Sequence, residues 1–270
     1  MTNVEIFEET QEVNHSGTYW KDGREIGVGF LPRQLKEVTY ISAEQAAEFC
    51  KEPVKADENT ACVICVKNMD SYSAAREMAE MNQEKVLVLN FANSVHPGGG
   101  VRFGARAQEE DLCRKSTLYA SLTSLHAKPY YEKHREVRNP LASDAMLLSP
   151  NVAIFRDQDN SFLGIPVHVT VLTCAAPVAY ERGDISDADY TQLLYHRIQA
   201  MLHTAAHYGY RNLVLGAWGC GAFGNDAKLV AGLFRKAQDE MPGAFRNVTF
   251  AVLSRDPEGY NLRSFQQVFD

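Results

Sequence analysis

The chain has 270 residues, 45% hydrophobic and 23% charged, which gives one large domain or two small ones enough apolar material for a core. Its net charge of −7 excludes a protein whose main task is to coat nucleic acid, because no excess of Lys and Arg is present to neutralise phosphates. A single anionic ligand stays open, since loop amides and a helix N-terminus hold phosphate without net positive charge.

Val4, Ile6, Phe7 and Val13 line one side of a short helix, and the span from Gly17 to Gly29 reads as a hairpin or loop. Lys36 to Ile41 is a strand. Ser42-Ala43-Glu44-Gln45 is a capping box opening a short helix to about Phe49. Ala61 to Val66 is a second strand, and Asn68, Asp70 or Ser71 caps a helix ending near Met81. Val86 to Phe91 is a buried strand that breaks into Pro97-Gly98-Gly99-Gly100. Gln108-Glu109-Glu110-Asp111 then begins a helical pattern carried by Leu112, Leu118, Leu122 and Leu125. The mixed charges of 126–144 read as a solvated insertion or surface loop.

Met146 to Asp157 supplies two strand-like pieces, and Ile165 to Cys174 a continuous strand. Asp187 or Asp189 starts a long amphipathic helix through Tyr208, ended by Gly209. Asn212 to Ala217 is a strand leading into a second glycine loop, Gly219-Cys220-Gly221-Ala222-Phe223-Gly224. A helix over Ala227 to Glu240, a strand over Asn247 to Leu253 and a short terminal helix complete the chain.

Strands alternating with helices imply an α/β fold, a mixed and mostly parallel sheet with helices on both faces. Ligands of such sheets bind beyond the carboxyl ends of the strands. Both glycine loops follow strands, so they should converge on one edge. Glycine loops bring backbone amides close to a ligand, and a following helix adds a positive dipole end, an arrangement suited to phosphate. A tight turn without a ligand is the plainer alternative. Neither GxGxxG nor GxxxxGK[ST] is present.

The first loop sets three glycines before a run of carboxylates. Acids in a first helical turn ordinarily do no more than stabilise the dipole. Beside a phosphate loop they can do chemistry: two neighbouring carboxylates cannot easily both ionise, so one becomes a candidate general acid for a sugar leaving group. A phosphate cradle with an acid pair points to a ribose carrying phosphate and cleaved near its anomeric carbon.

The segments VLNFAN, PGGG and QEEDLCR, followed by LGAWGCGAFGND, resemble the bacterial-type poly(ADP-ribose) glycohydrolases of the macrodomain superfamily. Gly98-Gly99-Gly100, the spacer Val101 to Ala107 and Gln108-Glu109-Glu110 match that family's signature. The resemblance implies a macrodomain-like fold over 1–270, with an N-terminal helical and loop extension over about 1–60. It implies hydrolysis of ribose–ribose O-glycosidic bonds to release ADP-ribose, working from chain ends, with Glu110 as general acid and base. Glu109 would hold ribose hydroxyls with Asn93 nearby. Gly98, Gly99 and Gly100 would pack on the distal ribose and phosphate, and Gln108 would be a further substrate-binding residue. Gly219, Cys220, Gly221, Ala222, Phe223 and Gly224 would bind the diphosphate and terminal ribose, and the N-terminal part would roof the adenine-side ribose. No metal or organic cofactor, no membrane and no direct nucleic-acid binding is implied. The alternatives are a hydrolase of mono-ADP-ribose on protein or nucleic acid, and a macrodomain that binds ADP-ribose without cleaving it.

Other motifs carry plainer readings. Cys62 and Cys65 would fall on opposite faces of a strand, and no second pair completes a zinc site. His203 and His207 lack the glutamate of a metalloprotease motif. Trp218 suits a ligand stack or a core position equally. Six scattered cysteines and an acidic N-terminus without a signal peptide's apolar core indicate reduced thiols in the cytoplasm.

Overall fold

The computed structural model of the chain describes residues 1–29, 31–56, 61–82, 84–256 and 258–269. Helix α1 (Asn3–Ser16) opens on a Thr2–Glu5 capping box and ends at Gly17, whose φ is +78°. Strands β1 (Thr18–Lys21) and β2 (Arg24–Gly27) form a hairpin across Asp22-Gly23, both at positive φ, as a tight two-residue turn requires. Helix α2 (Leu31–Glu37), unforeseen in the sequence, leads to β3 (Thr39–Ile41) and α3 (Ala43–Phe49), with the Ser42–Gln45 box in place. Strand β4 (Val63–Lys67) precedes α4 (Ser71–Asn82), whose first amides, Tyr72 and Ser73, donate to Asp70.

Strand β5 (Val86–Phe91) feeds the first glycine loop, a 3-10 turn over Val101–Phe103, and α5 (Gln108–Lys115). Helices α6 (Leu118–Leu122) and α7 (Lys128–Val137) follow, then β6 (Met146–Arg156), β7 (Phe162–Cys174) and α8 (Asp187–His207). The chain closes with β8 (Asn212–Leu215), α9 (Ala227–Asp239), β9 (Asn247–Ala251) and α10 (Tyr260–Phe269).

Seven strands form one sheet in the order β3-β6-β7-β5-β8-β9-β4. From β7 to β4 every pairing is parallel, while β6 runs antiparallel to β7 and β3 antiparallel to β6. The two-residue period of the strands divides the interior. Leu87 and Leu89 join the core under α3, α8, α9 and α10, whereas Val86 and Val88 join the core under α4 to α7. Because β5 and β8 are adjacent and parallel, both glycine loops leave the same edge of the sheet, as the sequence argument requires.

Three expectations change. The helix from Gln108 does not run on to Leu125 but stops at Lys115, and Ser116 turns extended. Ser116 bridges Ile154, and Thr117 exchanges hydrogen bonds with Ala153 (3.1 and 3.0 Å), so the break satisfies backbone groups of β6 where the short β3 no longer reaches. The span 126–144 is not a solvated insertion: α7 buries Tyr130 and Tyr131, whose rings meet edge to face at 4.9 Å. Its exposed Lys and Arg residues mask a helix with one apolar side. Finally, β3, which falls within the extension expected over about 1–60, is a strand of the main sheet, paired with β6.

Burial of the α7 tyrosines implies that Tyr131→Ala lowers unfolding free energy by about 3–5 kcal/mol, as aromatic truncations in cores do. Lys133→Ala on the same helix, exposed, changes it by less than about 0.5 kcal/mol. Denaturant unfolding of the two variants checks this, and equal small effects would restore the solvated reading.

Candidate active site

The acid pair is built by its backbone. Gly98 and Gly99 adopt φ of +69° and +55°, a region that side chains rarely enter. A Cβ on Gly98 would lie 2.8 Å from the Tyr119 ring, and one on Gly99 would overlap the Glu110 carboxyl. This curl turns the Gly100 N–H onto Glu110 Oε1 at 2.9 Å. The Asn93 N–H donates to Glu109 Oε2 at 2.8 Å, and Asn90 Nδ2 donates to Glu109 Oε1 at 3.3 Å. Both carboxyl groups are buried, at 2% and 7% exposure, and Glu110 Oε2 alone of their four oxygens has no partner. Burial raises the Glu109 carboxyl from the ordinary range to about 8, and the adjacent Glu110 adds to the rise while the Asn93, Asn90 and Gly98 donors oppose it.

The second loop is shaped around Gly219, at φ +74°, where a Cβ would meet Ala176 and Asn225 at 2.6 Å. Asn225 knits the turn: its Nδ2 donates to Pro177 O and Gly219 O, and its Oδ1 accepts from Tyr190 (2.7 Å). Trp218, Cys220, Gly224 and Asn225 spend their N–H groups inside the loop. Those of Gly219, Gly221, Ala222 and Phe223 have no acceptor among the described residues, an arrangement that receives anions. The α9 dipole does not add to it as expected. Asp226 caps that helix itself, accepting from Leu229 N at 2.7 Å and from Tyr260 at 2.5 Å.

A cavity of about 340 Å³ lies between the start of α5 and the second glycine loop. Ala107, Gln108 and Asp111 form one wall, and Gly219, Gly221, Ala222 and Phe223 another. The rest comes from strand ends and neighbouring segments, among them Met69, Asp70, Phe91, Arg106, Val252, Leu253 and Asn261. The acid pair is not in this wall. Positions 108 and 111 share one face of α5, while 109 and 110 face the glycine curl. Two cations lie beneath: Lys115, 3% exposed, reaches Asp111 at 2.8 Å and Asp70 at 3.8 Å. Arg114 reaches Asp111 at 3.7 Å, and burial lowers its pKa.

The residues named from sequence are therefore brought together around one edge, with differing tasks. Gln108 uses its amide within the protein, accepting from Phe91 N (2.9 Å) and donating to Leu89 O (2.8 Å) and Ser71 (3.0 Å), so it ties α5 to β5 and α4. Asn93 folds its Oδ1 back onto the Val95 and His96 amides. Cys220 donates its thiol to Trp218 O at 3.4 Å, and burial pushes its pKa up to about 12, which makes it a packing group. Gly224 packs against Tyr180. Among the described residues of the N-terminal segment none lines the cavity, and α1 lies outside the first loop, with Asn3 Nδ2 donating to Gly104 O and Phe7 edge-on to Tyr119. Trp218 is core, its Nε1 donating to Cys174 O at 3.0 Å. Cys65 meets Thr249, and His207 pairs with Glu52 at 2.6 Å. Sequence reasoning missed Asn90, which a polar side chain inside a buried strand signals, and the wall from β4, β9 and α10.

The fold is the mixed, mostly parallel α/β sheet flanked by helices that glycohydrolases of this class share. The family described as microbial-type PARG, catalytic domain, matches residues 8–157. The chain belongs to this family, the microbial-type poly(ADP-ribose) glycohydrolases. Poly(ADP-ribose) glycohydrolase from Thermomonospora curvata is 34% identical, with 99% of each chain covered and a TM-score of 0.94. The same protein bound to the inhibitor ADP-HPD matches at 34% identity, 98% of each chain and a TM-score of 0.90. The enzyme from Deinococcus radiodurans in complex with ADP-ribose matches at 36% identity over 89% of this chain and 96% of that one, with a TM-score of 0.82. No curated protein sequence matches the chain significantly.

The folded chain holds the Glu109 proton up to about pH 8, whereas the unfolded chain releases it near 4.5. The unfolded state then binds fewer protons across that window, so this carboxyl lowers stability as pH rises from about 4.5 to about 8. In Glu109→Gln that part of the decline, a few kcal/mol in size, disappears. Denaturant unfolding at several pH values checks this; parallel profiles for variant and parent would contradict a carboxyl held neutral by burial.

Proposed function

We propose that the chain hydrolyses the ribose–ribose O-glycosidic bond of poly(ADP-ribose), releasing ADP-ribose, with Glu110 as the catalytic group. The observation that carries this is the geometry of Glu110: one oxygen fixed by the Gly100 N–H, the other buried and unpartnered beside the glycine curl. The adenosine occupies the cavity, and the diphosphate takes the free amides of Gly219 to Phe223. The distal ribose lies on Gly98 to Gly100, its hydroxyls on Glu109 and the amide of Asn93. Burial favours the acid form of the Glu109 carboxyl there.

Acting as general acid, Glu110 gives a proton to the departing ribose oxygen as the bond to the anomeric carbon breaks. The carboxylate left behind takes a proton from water as the water oxygen bonds to that carbon, and Glu110 returns to its starting form. Action from chain ends is the mode the resemblance implies, and Val252, Leu253 and Asn261 are among the residues lining the cavity that would take the terminal unit. A single catalytic domain over 1–270 fits the one seven-stranded sheet, with residues 1–37 as an accessory segment against it. No helix among the described residues is long and apolar enough to cross a membrane, and six unpaired thiols favour the cytoplasm.

A binder of ADP-ribose that does not cleave it is the second reading. It is disfavoured by the buried acid pair, since desolvating two carboxyl groups costs stability that binding alone does not need. Removal of mono-ADP-ribose from protein or nucleic acid would use the same cleft.

Glu110→Gln is expected to retain ADP-ribose binding by calorimetry and to lose polymer turnover by about 10³-fold or more. Near wild-type digestion by that variant would refute the assignment. Assaying ADP-ribose release from polymer beside mono-modified protein and nucleic acid separates the substrates, polymer being the one expected to turn over fastest.

A further inference from the structure

The site so far accounts for one ADP-ribose unit, whereas the proposed substrate is a chain of them. When the terminal unit fills the cavity and the second loop, the oxygen that Glu110 protonates belongs to the next unit. That unit leaves past the first glycine loop. The residues that follow the loop are Val101, Arg102 and Phe103, and their side chains have three different environments. Val101 is buried, Arg102 is exposed but held, and Phe103 is 89% exposed, more than any other large apolar side chain among the described residues.

A solitary exposed phenylalanine is ordinary. This one stands on a turn with little freedom to move. Val101 N donates to Gly98 O (3.1 Å), Phe103 N to Gly100 O (2.9 Å), Gly104 N to Val101 O (3.1 Å) and Ala105 N to Gly100 O (3.2 Å). Asn3 Nδ2 fastens Gly104 O from outside at 3.0 Å. The ring is therefore carried on the same backbone that presents the Gly100 N–H to Glu110.

Arg102 is fixed beside it. Its Nε donates to the Tyr119 hydroxyl at 2.8 Å, and its guanidinium lies 5.5 Å from that ring's centre. Tyr119 is the ring beneath Gly98. The remaining guanidinium N–H groups have no acceptor among the described residues. A held cation beside a bare aromatic face, at the exit of a site for a dinucleotide-like unit, matches the chemistry of nucleotide backbones: bases stack on aromatic rings, and arginine forks pair with phosphate.

We propose that Arg102 and Phe103 form a second subsite, for the penultimate unit of the polymer, with the adenine stacked on Phe103 and the diphosphate paired with Arg102. The inference rests on the polymer reading of the site. It also gives that reading a selectivity, because a single ADP-ribose on a protein side chain places no second base or diphosphate at the turn.

Binding separates the subsite from the reaction. In the Glu110→Gln background, calorimetry compares ADP-ribose with a short poly(ADP-ribose) oligomer of defined length. The parent is expected to bind the oligomer at least about ten-fold tighter than ADP-ribose. Phe103→Ala is expected to cost about five- to hundred-fold in oligomer affinity, with ADP-ribose changed less than about two-fold, and Phe103→Trp to restore it. Arg102→Gln is expected to lower oligomer affinity and to flatten its salt dependence. Equal losses for both ligands, or no loss for either, would overturn the subsite. A parent that binds ADP-ribose but gains nothing from a second unit overturns it too. A parent that fails to bind ADP-ribose defeats the reading of the whole site, an outcome distinct from these.

Discussion

Two backbone N–H groups, those of Asn93 and Gly100, hold two carboxyl groups out of water, and much of the architecture serves to aim them. A buried carboxyl without a donor is costly, so neither glutamate could sit where it does if the loop relaxed. The loop keeps its curl because two consecutive residues take left-handed backbone angles, and because no side chain intrudes between the loop and the Glu110 carboxyl. Helix α5 keeps its place because Gln108 closes the end of β5 and reaches α4. Strand, loop and helix are thus one mechanical unit.

Helical geometry then divides the work. Residues 108 and 111 face the cavity, and residues 109 and 110 face the glycines, so one turn of α5 presents a binding surface on one side and an acid pair on the other. The cavity-side carboxylate, Asp111, is balanced by Lys115 and Arg114 from within the same helix. The anion cradle opposite relies on loop amides, because Asp226 has taken the α9 N-terminus for itself. Loop shape, set by Asn225 and its three partners, is what makes that cradle.

Much of this was legible in the residues themselves. The strands showed as apolar runs, the glycine loops as interruptions of the pattern, and parallel-sheet logic placed both loops on one edge before any coordinates. What escaped has physical causes. Helix α7 was hidden because its exposed face is so densely charged that Tyr130 and Tyr131 looked like part of a polar stretch. The break after Lys115 answers the needs of a strand distant in sequence, β6, which periodicity along α5 cannot register. Asn90 works through a carboxyl nineteen positions onward, and the far wall of the cavity comes from three segments that only the sheet order brings together. Helix α1 in the N-terminal segment braces the first loop, its anchors being Gly104, Tyr119 and Arg114.

That bracing has a kinetic side. Thr10 donates to the carbonyl of Arg114, and Arg156 reaches back to Glu9 and Thr10, contacts spanning 104 to 147 positions of chain. Such long closures form slowly, after local structure is complete. Helix α1 carries its own capping box and Gly17 stop, so it can coil early, yet it has nothing to dock on until α5 and the end of β6 have been synthesised and placed. Phe7, buried in the folded chain against Tyr119, is covered only once that docking is made. The rigidity of the loop that aims the acid pair is therefore among the last properties the folding chain acquires.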